Sequence, residues 1–144
     1  METRLITSAD LPVLAALHRE SFGAACWSVV QIEDSLALPT TQALVLCEDS
    51  VIQGFILCQR VGDEQEILTF CVAVVFRRKG AGQKLLAAAI EDARRHKVQR
   101  FFLDVSADND AAQALYAKQG FAVTGRGARY YADGADAVLM AKDL

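Results

Sequence analysis

Proline, histidine and methionine occur only twice each in this 144-residue chain, and tryptophan once. So little proline, with no low-complexity tract and a hydrophobic share of 53%, excludes a disordered or linker-like polypeptide. No apolar run reaches the roughly 18 residues a membrane-crossing helix needs, and Glu2-Thr3-Arg4 leads to a polar helix cap instead of a signal-peptide core. A cytoplasmic location with no membrane partner is expected. The net charge of -3 lacks the basic excess of a general nucleic-acid binder. Cys26, Cys47, Cys58 and Cys71 form no C-x-x-C pair and sit in mostly apolar surroundings, which favours buried reduced thiols over a disulfide framework or metal ligands. His18 and His96 lie far apart and read as surface or packing residues, so no metal is expected. The length fits one domain, residues 1–144.

Against that background one stretch stands out, Arg77-Arg78-Lys79-Gly80-Ala81-Gly82, placed between an apolar run (Ile67 to Phe76) and an amphipathic helix. Two glycines one residue apart let the backbone turn tightly and bring N–H groups up to an anion, while the following helix adds the positive end of its dipole. Three cations exceed what one phosphate needs, so a ligand with a pyrophosphate and a further phosphomonoester is expected. A Walker A loop needs Lys-Ser/Thr after its last glycine, whereas Gly82 is followed by Gln83-Lys84. A dinucleotide fingerprint needs a third glycine where Leu85 stands. A plain strand-to-helix turn with a solvated basic patch would also use these residues.

The remaining pattern is mixed. Asp10 can cap a helix running to about Ser21, and Ser28-Val29-Val30-Gln31 is a capping box for a second helix ending near Leu38-Pro39. Ala43 to Cys47 and Val51 to Gln59 read as a hairpin, and Val61-Gly62-Asp63-Glu64 turns the chain into the strand before the glycine loop. After the loop, Leu85, Leu86, Ala89, Ile90 and Ala93 mark one helix face, Phe101 to Val105 a buried strand, Asp110 to Gln119 a helix, and Phe121 to Val123 and Ala137 to Met140 two short strands. A strand, a crossover helix and a strand predict a central parallel pair with the loop at its carboxyl end. The expected fold is α+β: a mixed, mostly antiparallel sheet with helices on both faces.

The stretch Glu66-Ile67-Leu68 through Val72, the R-x-x-G-x-G loop, Asn109, Ala114-Leu115-Tyr116 and Gly120-Phe121 together resemble the GCN5-related N-acetyltransferase (GNAT) family across nearly the whole chain. Cys26-Trp27-Ser28, Tyr130-Tyr131 and Asp136-Ala137-Val138-Leu139-Met140 resemble its ribosomal-protein-alanine (RimI-like) branch. The resemblance implies direct acetyl transfer from acetyl-CoA to a primary amine, the basic N-terminus of a ribosomal protein, with small-molecule amines and lysine side chains as the alternative acceptors. It implies that Arg77, Arg78, Lys79, Gly80, Ala81, Gly82 and Gln83 hold the phosphates, that the backbone of Phe70, Cys71 and Val72 aligns the pantetheine arm, and that Asn109 bonds the arm; a helix cap before Asp110 is the other reading of Asn109. One strand N–H would polarise the thioester carbonyl, a contribution that is often large in acyl transfer.

Such chemistry needs a neutral amine and a protonated leaving thiolate. Tyr116 is the candidate acid, since a phenol with pKa near 10 can protonate a thiolate whose conjugate acid lies near 8.5. Asp104 is the candidate base, directly or through water, and stands where the RimI-like pattern generally carries a glutamate. Glu66 is a second base or relay. Trp27, Tyr130, Tyr131 and Asp136 could line the acceptor groove, with core or turn packing as the other reading. A noncatalytic acyl-CoA-binding module, a ligand-free partner-binding domain, and a route through an acetylated Cys71 are the rival schemes.

Overall fold

The computed structural model describes residues 2–131 and 133–144. The chain opens with a strand, Glu2–Leu5 (β1), where the sequence suggested only the approach to a helix. It is an edge strand pairing antiparallel with its neighbour from Glu2↔Cys47 to Leu5↔Leu44, and its largely solvent-facing residues carry no apolar alternation to betray it. A 3₁₀ turn at Ser8–Asp10 and a helix, Leu11–Phe22 (α1), follow. Asp10 is buried, and its carboxylate serves neither α1 nor solvent. It accepts from the Thr7 N–H at 2.8 Å and takes both arms of the Arg4 guanidinium at 2.7 and 3.0 Å, which fastens β1 to the start of α1.

The second helix, Val29–Leu36 (α2), is opened by the expected reciprocal cap. Gln31 N–H donates to Ser28 Oγ at 3.2 Å, and Ser28 N–H donates to Gln31 Oε1 at 2.7 Å. Then come Thr41–Glu48 (β2), Val51–Val61 (β3) and Glu64–Val72 (β4) as a meander, a helix Ala81–Arg95 (α3), Arg100–Ser106 (β5), a helix Asp110–Lys118 (α4), Ala122–Gly127 (β6) and Ala137–Asp143 (β7). The expected run of strand to Phe76 stops at Val72, and Val74–Phe76 coil into one 3₁₀ turn before the glycine loop.

The sheet order is β1-β2-β3-β4-β5-β7-β6, and every pairing is antiparallel except β4 with β5. Side-chain alternation divides the core in two. On one face α1 and α2 cover Val45, Phe55, Leu57 and Cys71. On the other, α3 and Tyr116 of α4 cover Ile56, Ile67, Phe101 and Leu103. The mixed sheet with helices on both faces is therefore as expected.

Two irregularities create the site. The β3–β4 register shifts so that Leu57 faces Thr69 while Cys58 faces Ile67, which leaves Leu68 as the extra residue of a β-bulge. In addition, β4 and β5 pair only from Glu64↔Arg100 to Glu66↔Phe102, although both strands continue to Val72 and Ser106. Beyond Glu66 they separate, and the gap opens at the carboxyl end of the parallel pair, beside the glycine loop.

Candidate active site

The loop Arg77-Arg78-Lys79-Gly80 delivers the chain to α3 through two left-handed residues, Arg78 at φ 62° and Gly80 at φ 85°. The second is the N-cap, where the absent Cβ permits the turn. The N–H groups of Ala81, Gly82 and Gln83 in the first turn of α3 have no carbonyl partner within the helix and carry the positive end of its dipole. A Cβ on Gly82 would meet Leu115 Cδ2 at 3.2 Å, Val72 Cγ2 at 3.6 Å and Phe70 Cζ at 3.7 Å, so this helix end lies directly against β4 and α4. Arg78 and Lys79 are exposed. A polyphosphate fits this amide-lined end with its rim of cations.

Arg77 is engaged differently. Its Nε donates to the Val72 carbonyl at 2.9 Å and its Nη2 to Ser21 Oγ at 3.1 Å, while the Val74 N–H donates to Glu20 Oε1 at 2.7 Å. Side chains at the end of α1 thus brace a turn whose sequence, Ala73-Val74, has no proline to stiffen it.

The bond from Ala73 N–H to the Gln53 carbonyl, 2.8 Å, sets the phase of the β3–β4 ladder. Alternation then directs the main-chain groups of Thr69 and Cys71 toward β3 and those of Phe70 and Val72 into the gap. Arg77 occupies the Val72 carbonyl, which leaves the Phe70 and Val72 N–H groups facing the opening. Of the three strand residues expected to align a pantetheine arm, Phe70 and Val72 turn main-chain polar groups to the gap and Cys71 does not. The Cys71 thiol is buried, which pushes its pKa up to about 11.

On the α3 side of the gap, the Tyr116 ring lies edge-on to Phe121 at 5.8 Å and tilted toward Phe70 at 6.3 Å. Its hydroxyl has no hydrogen-bond partner among the described residues. Burial holds its ionisation well above the ordinary phenol value, and the Asp104 charge pushes the same way. Asn109 is the N-cap of α4, its Oδ1 accepting from the Ala112 N–H at 3.1 Å. That leaves its amide NH₂ to donate elsewhere.

On the opposite face, over the paired stretch of β4 and β5 and reaching Asp104 where they part, lies a cleft of about 330 Å³ lined by Glu66, Phe102, Asp104, Tyr130 and Leu139 among others. Glu66 is pushed up, first by burial and then by the neighbouring Asp104 charge. Tyr130 and Tyr131 are both pushed up, Tyr130 mainly by the Asp104 charge and Tyr131 by burial and then Asp104. Their rings meet edge to face at 5.2 Å. One carboxylate, Asp104, therefore acts on Glu66, Tyr130, Tyr131 and, across the gap, Tyr116.

Two expected groove residues sit elsewhere in the bonding. Asp136 accepts the Arg129 N–H at 2.9 Å with its carboxylate and the Ala107 N–H at 2.8 Å with its carbonyl, which fastens the end of the β5–β7 ladder. Trp27 stacks its ring on His18 at 5.1 Å. His18 itself, expected at the surface or in packing, is only 2% exposed and bonded at both ring nitrogens: to Thr69 Oγ1 at 3.0 Å and from the Trp27 N–H at 2.9 Å. Its place at helical spacing from Leu11 and Leu14 was the available signal that it faces inward.

The family model described as "Acetyltransferase (GNAT) family" matches residues 11–121. The chain is similar to N-alpha-acetyltransferase RimI of Mycobacterium tuberculosis, 33% identical over 96% of this chain and 89% of that protein. It is also similar to the [ribosomal protein bS18]-alanine N-acetyltransferase of Salmonella typhimurium, 36% identical over 68% of each. The crystal structure of the ribosomal-protein-S18-alanine N-acetyltransferase from Escherichia coli superimposes with a TM-score of 0.90 at 27% identity, covering 99% of this chain and 92% of that one. With its helix end of unpaired amides and its splayed strands, the chain belongs to the GNAT family and is an acetyl-CoA-dependent N-acetyltransferase of the RimI-like kind.

Proposed function

We propose that the acceptor is the N-terminal α-amine of a ribosomal protein, presented in the cytoplasm, and that the acetyl group passes to it directly. The observation that carries this reading is the convergence at one gap of two half-sites from opposite faces of the sheet. The donor half comprises the α3 amides with Arg78 and Lys79 for the phosphates, the free amide of Asn109 for the arm, and the Phe70 and Val72 N–H groups. The acceptor half comprises Glu66, Asp104, Tyr130 and Tyr131. Arg77 contributes by bracing the loop, and Trp27 and Asp136 by fixing the segments that border the groove.

When bound, acetyl-CoA supplies the acyl carbon and the leaving thiol. The chain supplies the proton traffic. An α-amine has a pKa near 8, against about 10.4 for a lysine side chain, so freeing its lone pair asks little of a base. Glu66, with its raised pKa, and Asp104 take that proton directly or through water. Tyr116 stays protonated at working pH and gives its proton to the departing sulfur, while a strand N–H stabilises charge developing on the carbonyl oxygen.

Acetyl-CoA offered with N-terminal peptides, lysine-bearing blocked peptides and small amines, followed by mass spectrometry of the acetyl mark, tests the assignment. The expected product is an α-N-acetylated peptide. Acetylation of lysine side chains or free amines alone would overturn it.

A further inference from the structure

His18 is a buried polar residue that the chemistry just described does not use, and its bonds reach both halves of the site. Its Nδ1 accepts the Trp27 N–H at 2.9 Å, so the ring proton sits on Nε2 and is donated to Thr69 Oγ1 at 3.0 Å. Thr69 Oγ1 in turn lies 4.0 Å from Cys71 Sγ, a contact in which either atom can donate. The ring is wedged between Phe22 at 4.4 Å and Trp27 at 5.1 Å, with Phe55 behind it at 6.5 Å. A neutral imidazole suits this chain of donors, and burial holds its pKa down to about 4.

The two residues at the β4 end of this chain, Thr69 and Cys71, bracket Phe70, whose main chain faces the gap. Thr69 also follows immediately on Leu68, the bulge residue, where the strand is least constrained by its ladder. At the other end, Trp27 sits in the connection between α1 and α2.

We propose that His18 is a positioning residue for acetyl transfer, fixing the Phe70 main chain through Thr69 and the α1–α2 connection through Trp27. This rests on the reading above, in which Phe70 meets the donor and the Trp27 segment borders the acceptor. Its two bonds predict separable losses, because each ring nitrogen serves a different partner.

The test measures kcat, acceptor KM and acetyl-CoA Kd for four proteins, using whichever amine of the panel the wild type acetylates, so a wrong acceptor assignment is read from the wild type alone. Thr69→Val keeps the shape and removes the hydroxyl. It should lower kcat about tenfold, as expected for a reacting group held slightly out of place, with KM and Kd little changed. His18→Asn retains an acceptor for Trp27 but not the reach to Thr69, and should reproduce that loss. His18→Gln retains the reach to Thr69 and should keep most of kcat while raising acceptor KM. An unchanged kcat in Thr69→Val, or all parameters falling together with melting temperature in every variant, would overturn the proposal.

Discussion

Replacing Tyr116 by phenylalanine removes one oxygen atom and nothing else the fold uses. The ring contacts with Phe121 and Phe70 are made by carbon atoms, and the hydroxyl has no protein partner among the described residues. No buried donor or acceptor is orphaned, so stability should change by less than about 0.5 kcal/mol. Acetyl-CoA affinity should stay within about twofold, because the hydroxyl acts on the sulfur only as it departs. The turnover number should fall about a hundredfold, roughly 2.7 kcal/mol, the usual scale for loss of a positioned acid. The pH dependence adds a second criterion. Since burial raises the phenol, Tyr116 stays protonated through the alkaline assay range and puts no falling limb on the wild-type profile. The rising limb belongs to the acceptor amine and its base, and should survive in the variant with the same midpoint. Steady-state kinetics from pH 6 to 9.5, with calorimetric binding and thermal melting, read all of this. A kcat within about twofold of wild type, or a loss matched by an equal loss of affinity, would remove Tyr116 from the proton path.

Asn109→Asp keeps the oxygen that caps α4 and deletes the amide donor, so melting should be unchanged or slightly higher while acetyl-CoA Kd rises severalfold; Asn109→Ala loses the cap as well and should cost about 1 kcal/mol in denaturant titration. Glu66 has a folded pKa above its unfolded value, so its charge opposes folding at neutral pH and is absent from both states once pH falls below the ordinary glutamate range. Glu66→Gln should therefore melt higher than wild type at pH 7, with the difference shrinking toward zero as pH falls below the ordinary glutamate range, and with a lower kcat; a lower melting point at pH 7 would contradict this. His18 is held near 4 against an ordinary 6.5, so the unfolded chain binds the extra proton first and stability is lost as pH falls through that window. His18→Asn should remove that pH dependence, up to about 3 kcal/mol between the two limits, and a wild-type slope left intact in the variant would show that His18 is not its source.

Local chemistry made much of this legible in the sequence. Ser28 and Gln31 sit at the spacing where each can cap the other's N–H, and Gly80 stands where the backbone is left-handed. Leu85, Leu86, Ala89, Ile90 and Ala93 mark the buried face of α3. What stayed hidden depends on partners distant in the chain. β1 exists because β2 offers an open edge, and Asp10 faces Arg4 across the end of that strand instead of capping α1. Arg77 reads as a phosphate cation in a basic run, yet Val72 and Ser21 claim its guanidinium. The bulge at Leu68 leaves no mark in composition, because it is defined by the register of two strands against each other.

That bulge also bears on how the acetyl group travels. Before Leu68, Glu66 projects to the α1–α2 face; after it, Thr69 and Cys71 occupy that face and Phe70 and Val72 the other. The one-residue slip therefore places the Phe70 main chain and the Glu66 carboxylate, the proposed donor and acceptor sides, within the same few residues of a single strand. A relay through Cys71 would need its sulfur in the gap as a thiolate. Instead the thiol lies buried among the α1–α2 core residues, 4.0 Å from Thr69 Oγ1, and burial pushes its pKa up to about 11, so almost none is ionised at neutral pH. With the Cys71 sulfur turned away and the Cys58 thiol sealed in the core with its pKa pushed up to about 12, the geometry favours attack by the amine on the thioester itself. Incubation with acetyl-CoA alone should accordingly leave Cys71 unmodified in the intact-protein mass, and a stable addition of one acetyl group at that residue would reverse the argument.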